Sequence, residues 1–138
     1  MLKYQKQTEE IPNCPSPDCK SLTIEAFRFV FEDINHRNNF LPVLLINPKR
    51  QLTEDSEKCS GYALSFFCSA ETAKNQYLKL KKRNKNIGKS IGTHIAQGVV
   101  NETDGLVSEI NRNGHFDLHE FENTDLKNKF RIICFIEG

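Results

Sequence analysis

The chain has 138 residues, which is enough for one domain, because single domains usually contain about 100–200 residues. Its 19 basic and 18 acidic side chains give a formal net charge of +1, which excludes a strong overall field that would attract nucleic acid or anionic lipid. Hydrophobic residues make up 38% of the sequence, so the chain can form a core and is not generally disordered. A domain of this size is expected to be stable without a metal or a disulfide.

The first twenty residues are polar and include Pro12, Pro15 and Pro17. Each proline lacks a backbone N–H and disfavours helix in the residue before it. The sequence therefore predicts an extended N-terminal arm over residues 1–20, followed by a single domain over residues 21–138. The arm has no apolar stretch of the signal-peptide type, and no later run resembles a membrane span. We expect a cytoplasmic protein with no membrane partner.

The first half of the domain contains alternating and continuous apolar patterns. Over residues 23–32, Phe27 and Phe29 recur on one face of a predicted strand, and Arg28 lies on the other face. The run at residues 40–48 contains Pro42 and predicts an edge strand, and a long charged loop follows to residue 61. Residues 62–69 predict another strand.

A helix is predicted at residues 69–84. Ser69 is a suitable N-cap, and Glu71 lies in the first turn, where a negative charge is favourable. Apolar residues recur at three- and four-residue steps, as in an amphipathic helix. After it, residues 93–121 predict an antiparallel meander, residues 124–129 a short helical turn, and residues 130–138 a buried central strand. The predicted fold is α+β, with a mostly antiparallel sheet of about five to six strands and one long helix packed on it.

The densest polar segment is at residues 114–122. In a strand, Phe116 and Leu118 point to one face, whereas His115, Asp117 and His119 point to the other. A bulge at positions 119–120 is expected to return residue 121 to the core and to keep residue 122 with the polar group. The polar face is interpreted either as an ordinary solvated face or as the wall of a cleft for acid–base chemistry.

Metal binding is not predicted. His115 and His119 lie about 13 Å apart on a straight strand, so they cannot share one zinc ion. Cys14, Cys19 and Cys59 offer another ligand combination, but their spacing is not that of a zinc motif. The five cysteines are odd in number and contain no CxxC, so we expect reduced thiols.

A basic stretch begins near the C-terminal end of the predicted helix. Its cationic side chains are Lys79, Lys81, Lys82, Arg83, Lys85 and Lys89. They have two interpretations. Positive charge complements the dipole at the end of a helix, and it also binds the phosphates of RNA or DNA. Tyr77 is the single aromatic residue nearby, so base stacking on this stretch alone is expected to be weak.

Five residues suggest an enzymatic alternative. Arg28 precedes Ser65 (or, as an alternative, Ser69), the serine precedes Glu120 and Glu122, and His115 lies beside the glutamates on the polar strand. The order of Arg, Ser and Glu resembles that of ADP-ribosyltransferase-like domains, although the serine lacks the family's usual Ser-Thr-Ser context. The resemblance implies that Arg and Ser hold NAD and that the last Glu activates the transfer.

The function expected from the sequence is binding. A small cytoplasmic adaptor domain would contact a protein or a polyanion, including nucleic acid, through the basic helix end or the polar 115–122 strand. No cofactor is expected for this function. The alternative is a small ADP-ribosyltransferase-like enzyme that uses NAD or a nucleotide, with Arg28, Ser65, His115, Glu120 and Glu122 as catalytic residues. The sequence does not decide between a binding module and an enzyme.

Overall fold

A computed structural model describes residues 1–136 of the chain. The strands are β1 (Ile24–Val30), β2 (Leu64–Phe67), β3 (His94–Val100), β4 (Gly105–Val107), β5 (His115–Glu120) and β6 (Arg131–Phe135). The helices are α1 (Gln5–Thr8), α2 (Val43–Ile46), α3 (Asp55–Ser60), α4 (Ala70–Arg83) and α5 (Ile87–Ile91), with a 3-10 turn at Lys127–Lys129. The six strands form one antiparallel sheet in the order β4-β5-β2-β1-β3-β6. The predicted α+β fold is confirmed.

The sheet buries apolar side chains on both faces. On the side we call the α4 face, Phe27 of β1 and Phe67 of β2 pack against Tyr77 of α4 in one buried cluster. On the opposite side, which we call the Phe66 face, Phe66 lies between Phe116 of β5 and Phe130, with ring centroids 5.8 and 5.5 Å away. Alternation along each strand therefore decides which core a side chain enters.

Helix α4 begins where the sequence predicts. The Ser69 hydroxyl accepts a hydrogen bond from the backbone N–H of Thr72 at 3.1 Å, which satisfies one of the free N–H groups of the first turn. Ala73 and Tyr77 are four residues apart and are both buried, so one stripe of the helix faces the sheet. The basic side chains at its other end complement the helix dipole.

Replacing Ser69 by alanine should lower the free energy of unfolding by about 1 kcal/mol, because the N-cap hydrogen bond is lost. Urea unfolding of the purified variant measures this change. Ser69→Asp is the matched control, since it keeps an acceptor oxygen at the cap and should stay close to the wild type. Equal stability of the alanine variant and the wild type would show that the cap contributes nothing.

Two segments of the first half differ from their predictions. The apolar run after Pro42 forms helix α2 and not an edge strand, and proline is compatible with the start of a helix. The charged stretch that follows contains α3, whose first turn is closed by a reciprocal capping box between Glu54 and Glu57. Short helices of this kind escape detection because they have too few turns to produce a periodic pattern.

The C-terminal half also differs: β3 pairs with β1 and β6 and not with β4, so residues 93–121 do not form the predicted meander. Strand β6 is an edge strand and not a central one, and alternate residues along it are exposed. Strands β4 and β5 pair in unbroken register through Gly105↔Glu120, so the expected bulge at positions 119–120 is absent. Glu120 therefore follows Leu118 on the Phe66 face. The short turn predicted at residues 124–129 appears as the 3-10 turn, and the last two positions of the predicted final strand lie outside the described residues.

The N-terminal arm packs on the sheet. It contains the short helix α1, and isolated β-bridges join Leu2 to Phe121 and Lys20 to Val107. A disulfide links Cys14 of the arm to Cys59 in the last turn of α3, so the expectation of reduced thiols is wrong for this pair. Among residues 1–136, no helix is both long and apolar enough to cross a membrane.

Candidate functional site

An open cleft of about 630 Å³ lies at the C-terminal end of α4. Two segments line it: the end of α4 with the start of α5, and the turn that follows β1. These segments are more than 40 residues apart in sequence, and they meet because β1 lies beside β2, the strand that leads into α4. A concave site of this volume accommodates a small ligand or one unit of a polymer.

The first segment gives the cleft its positive charge. Lys81, Lys85 and Lys89 line the cleft, and the last two are exposed, so their ammonium groups are accessible to a ligand. The other cationic residues predicted for this surface do not line it: Lys79, Lys82 and Arg83. The structure thus divides the basic stretch into a cleft group and a group outside the cleft.

The second segment adds aromatic surface. The rings of Phe31 and His36 stack with centroids 4.1 Å apart and planes 22° apart, and both residues line the cleft. His36 Nδ1 accepts a hydrogen bond from the backbone N–H of Asn38 at 3.1 Å, which orients the imidazole. The cleft therefore contains a stacking platform that the basic stretch alone lacks.

Buried Asn39 holds this turn in shape. Its side-chain oxygen accepts a hydrogen bond from the Phe31 N–H at 2.7 Å, and its amide donates to the carbonyl oxygens of Asp33 and Ile34 at 2.9 and 3.1 Å. The side chain is 1% exposed, so these bonds are made away from water, where leaving one unmade is costly. The aromatic side of the cleft is therefore formed before a ligand arrives.

Tyr77 fixes the base of the cleft. Its hydroxyl donates to the carbonyl oxygen of Gly92 at 3.0 Å, which ties α4 to the segment between α5 and β3. Burial raises the pKa of Tyr77, so the phenol stays protonated and acts as a donor at neutral pH.

The cleft also carries two acidic residues. Glu32 and Asp33 lie in the same turn as the aromatic pair and face the same cavity as the lysines. The lining thus holds cations for an anionic group and carboxylates that accept hydrogen bonds from hydroxyl or amino groups. A ligand that combines phosphate, hydroxyl groups and an aromatic ring matches this mixture.

The polar strand forms a second group of side chains on the α4 face. Ser65 Oγ and His115 Nε2 are 2.5 Å apart, and Asp117 Oδ1 is 3.6 Å from the same nitrogen. Asp117 Oδ2 accepts a hydrogen bond from the Ser60 hydroxyl at 2.7 Å. In a hydrolytic triad the carboxylate holds the other ring nitrogen, Nδ1, so this arrangement does not activate the serine in that way.

The Arg28 side chain is hydrogen-bonded to backbone carbonyl oxygens on the Phe66 face. Its guanidinium donates to the carbonyl oxygens of Asn39, Ser65 and Leu41 at 2.7, 2.8 and 3.4 Å, and it lies 5.7 Å from the centroid of the Phe66 ring. Burial lowers the pKa of Arg28 to about 10, so the side chain stays charged at neutral pH. The contacts make Arg28 a brace between the sheet and the turn before α2.

The two glutamates of the predicted enzyme site lie in different places. Buried Glu120 pairs with Lys3 at 2.9 Å on the Phe66 face, and burial is the main cause that raises its pKa. Exposed Glu122 lines a separate cavity near the N-terminus. Because the Ser65 hydroxyl lies on the α4 face and Arg28 on the other, Arg28, Ser65 and Glu122 do not share a cavity. Of the five predicted catalytic residues, the structure places Ser65 beside His115 on the α4 face, and it places Arg28 close enough to Glu120 on the Phe66 face for their charges to interact.

A third group surrounds the disulfide. Cys14, Cys59 and His119 place their ligand atoms within 4.8 Å of one another, and Cys59 Sγ is 3.8 Å from His119 Nε2. Burial lowers the pKa of His119. Sequence spacing gives no signal for this cluster, because its members come from the arm, α3 and β5. Phe31 and His36 are also missed by an inspection of the basic stretch, because they are distant from it in the sequence.

No protein-family model, curated protein or solved structure matches this chain.

Proposed function

We propose that this chain is a binding domain for single-stranded nucleic acid and seats one nucleotide in the cleft at the end of α4. The observation that carries the proposal is the position of Lys85 and Lys89 beside the stacked Phe31–His36 pair in one cavity. Proteins that bind single strands combine cationic grooves with aromatic platforms, because phosphates and bases recur together along the strand.

Each part of the cleft has a counterpart in a nucleotide. The ammonium groups of Lys85 and Lys89 pair with phosphate oxygens, and the exposed face of the aromatic pair stacks on a base. The carboxylates of Glu32 and Asp33 accept hydrogen bonds from sugar hydroxyls or exocyclic amines. With a formal net charge of +1, the whole chain attracts a polyanion weakly, so affinity has to come from this local site.

The proposal is tested by fluorescence anisotropy with a labelled single-stranded oligonucleotide across a salt series. We expect binding at about 50 mM salt that weakens steeply towards about 0.5 M, because neutralised phosphates release counterions. The double variant Lys85→Ala/Lys89→Ala should lose at least about tenfold in affinity. Its slope of log affinity against log salt should fall by about 1.4, since each phosphate contact on a single strand contributes about 0.7.

The matched control is Lys79→Ala/Lys82→Ala, which removes the same charge from the same stretch outside the cleft. It should bind nearly as the wild type does. His36→Ala should lower affinity about fivefold or more without changing the salt slope, because a stacking contact and not a charge is removed. Equal losses in both lysine pairs, or no binding at about 50 mM salt, would contradict the proposal.

The remaining expectations stay predictions. We infer that the protein acts in the cytoplasm, where the Cys14–Cys59 pair would exchange with cellular dithiols. A protein partner is also expected from the sequence, and the polar surface around His115 offers it hydrogen-bonding groups.

A further inference from the structure

We propose that the reduced chain binds one zinc ion through the thiolates of Cys14 and Cys59 and the imidazole of His119. The site is independent of the cleft at the end of α4, because its ligands lie on the arm, on α3 and on β5. The disulfide and the metal site are then alternative states of the same two cysteines. Oxidation joins their sulfurs, and reduction frees them as ligands.

The positions of the three side chains suit tetrahedral zinc. With Zn–S bonds of about 2.3 Å and Zn–N bonds of about 2.0–2.1 Å, the sulfur and nitrogen ligands of one ion lie about 3.6 Å apart. Cys59 Sγ and His119 Nε2 are already 3.8 Å apart. Two sulfurs on one zinc ion are separated by about 3.8 Å, so breaking the disulfide and turning the cysteine side chains moves them towards the required spacing.

The backbone keeps the ligands together without the disulfide. The arm is joined to the sheet on both sides of Cys14, by the bridges Leu2↔Phe121 and Lys20↔Val107. Cys59 lies in the last turn of α3, and His119 pairs with Leu106 inside the sheet. A reduced Cys14 therefore stays near its partners, which lowers the entropy that metal binding has to overcome.

Burial and ligand type favour zinc over calcium or magnesium. Cys59 is 9% exposed and His119 is 5% exposed, whereas Cys14 is partly exposed, so an ion would be held at the edge of the interior with one side open to solvent. Thiolate and imidazole are soft or intermediate ligands, whereas calcium and magnesium require oxygen ligands. Three protein ligands leave the fourth tetrahedral position for a water molecule.

The redox step balances with an external dithiol as the reductant. The Cys14–Cys59 bond breaks, two electrons and two protons pass from the dithiol to the two sulfurs, and the dithiol becomes a disulfide. Zinc then displaces one proton from each thiol, so binding releases two protons to solvent.

The test uses the full chain, reduced and then freed of reductant under nitrogen, and titrated with zinc against a chromophoric chelator. The reduced protein should bind one zinc ion, and the oxidised protein should bind at least about 100-fold more weakly, because its sulfurs are not available as thiolates. Cobalt in place of zinc should give the visible bands of a tetrahedral site and a thiolate charge-transfer band. Metal should also protect Cys14 and Cys59 from alkylation.

Variants identify the ligands. Cys14→Ser, Cys59→Ser and His119→Ala should each weaken binding by more than about 100-fold, which exceeds the usual effect of losing an outer-shell contact. Cys68→Ser and Cys134→Ser remove free cysteines elsewhere in the chain and should bind as the wild type does. Alkylation mapping on the wild type keeps the test valid if a ligand variant fails to fold. A reduced wild type that takes up no metal, or whose metal leaves Cys14 and Cys59 reactive, would overturn the proposal.

Discussion

Reduction of the Cys14–Cys59 disulfide is expected to lower the free energy of unfolding by about 4 kcal/mol. The two cysteines are 45 positions apart, and the chain-entropy model gives about this value for a loop of that length. The bond restricts the unfolded chain, which regains the freedom of the whole loop when the bond is broken. Urea unfolding with and without a reductant, both in the presence of a chelator, measures the difference.

Two variants separate the disulfide from other effects of the reductant. The double variant Cys14→Ser/Cys59→Ser should unfold identically with and without reductant, because it has no disulfide to break. Cys68→Ser/Cys134→Ser should keep the full loss on reduction, since neither residue is paired. A loss below about 1 kcal/mol in the wild type would show that the loop remains restricted in the unfolded state.

Gly92→Ala is expected to lower the free energy of unfolding by at least about 3 kcal/mol. Gly92 has φ +93° and ψ 178°, a backbone conformation that is essentially restricted to glycine. A Cβ at this position would lie 2.1 Å from the carbonyl oxygen of Val30 and 2.6 Å from the N–H nitrogen of Phe31. Both atoms belong to the backbone, so they cannot move aside as a flexible side chain does.

The effect should extend to the cleft. Gly92 accepts the hydrogen bond of Tyr77, and Phe31 belongs to the aromatic pair. Oligonucleotide affinity of any folded Gly92→Ala protein should therefore fall together with its stability. Gly88→Ala is the control for stability alone, because the nearest atoms to its new Cβ belong to side chains: the Thr93 methyl group at 2.9 Å and the Tyr77 hydroxyl at 3.0 Å. It is not a control for affinity, because Gly88 lines the cleft. Its loss in free energy of unfolding should be about 1 kcal/mol. Equal losses in both variants would contradict the backbone argument.

The sequence predicts those strands and helices that are long enough for their apolar residues to recur in a regular pattern. Alternation in β1 and β5 and the capped, periodic stretch of α4 all correspond to structure. The pattern fails for α2 and α3, which have 4 and 6 residues and complete at most two turns. The pattern also does not predict that β6 lies at the edge of the sheet, because an apolar run does not indicate which strands lie beside it.

The candidate sites, too, can be predicted only in part from the sequence. The basic stretch is visible in the sequence, but which of its lysines reach a cavity depends on how α4 and α5 pack against the turn after β1. Arg28 and Ser65 occur in an order that resembles an enzyme family, yet alternation within their strands sends the side chains to opposite faces. Residue order along the chain carries no information about convergence in space.

The sequence by itself determined the fold class, the long helix with its Ser69 cap and the polar face of the strand that begins at His115. These features depend on hydrogen bonding and side-chain alternation between near neighbours in the chain. Tertiary structure alone decided that Cys14 bonds to Cys59 beside His119 and that Phe31 and His36 lie with Lys85 and Lys89. These groups are brought together by strand order and by burial of the two sheet faces. Such contacts join distant segments, so no local spacing encodes them.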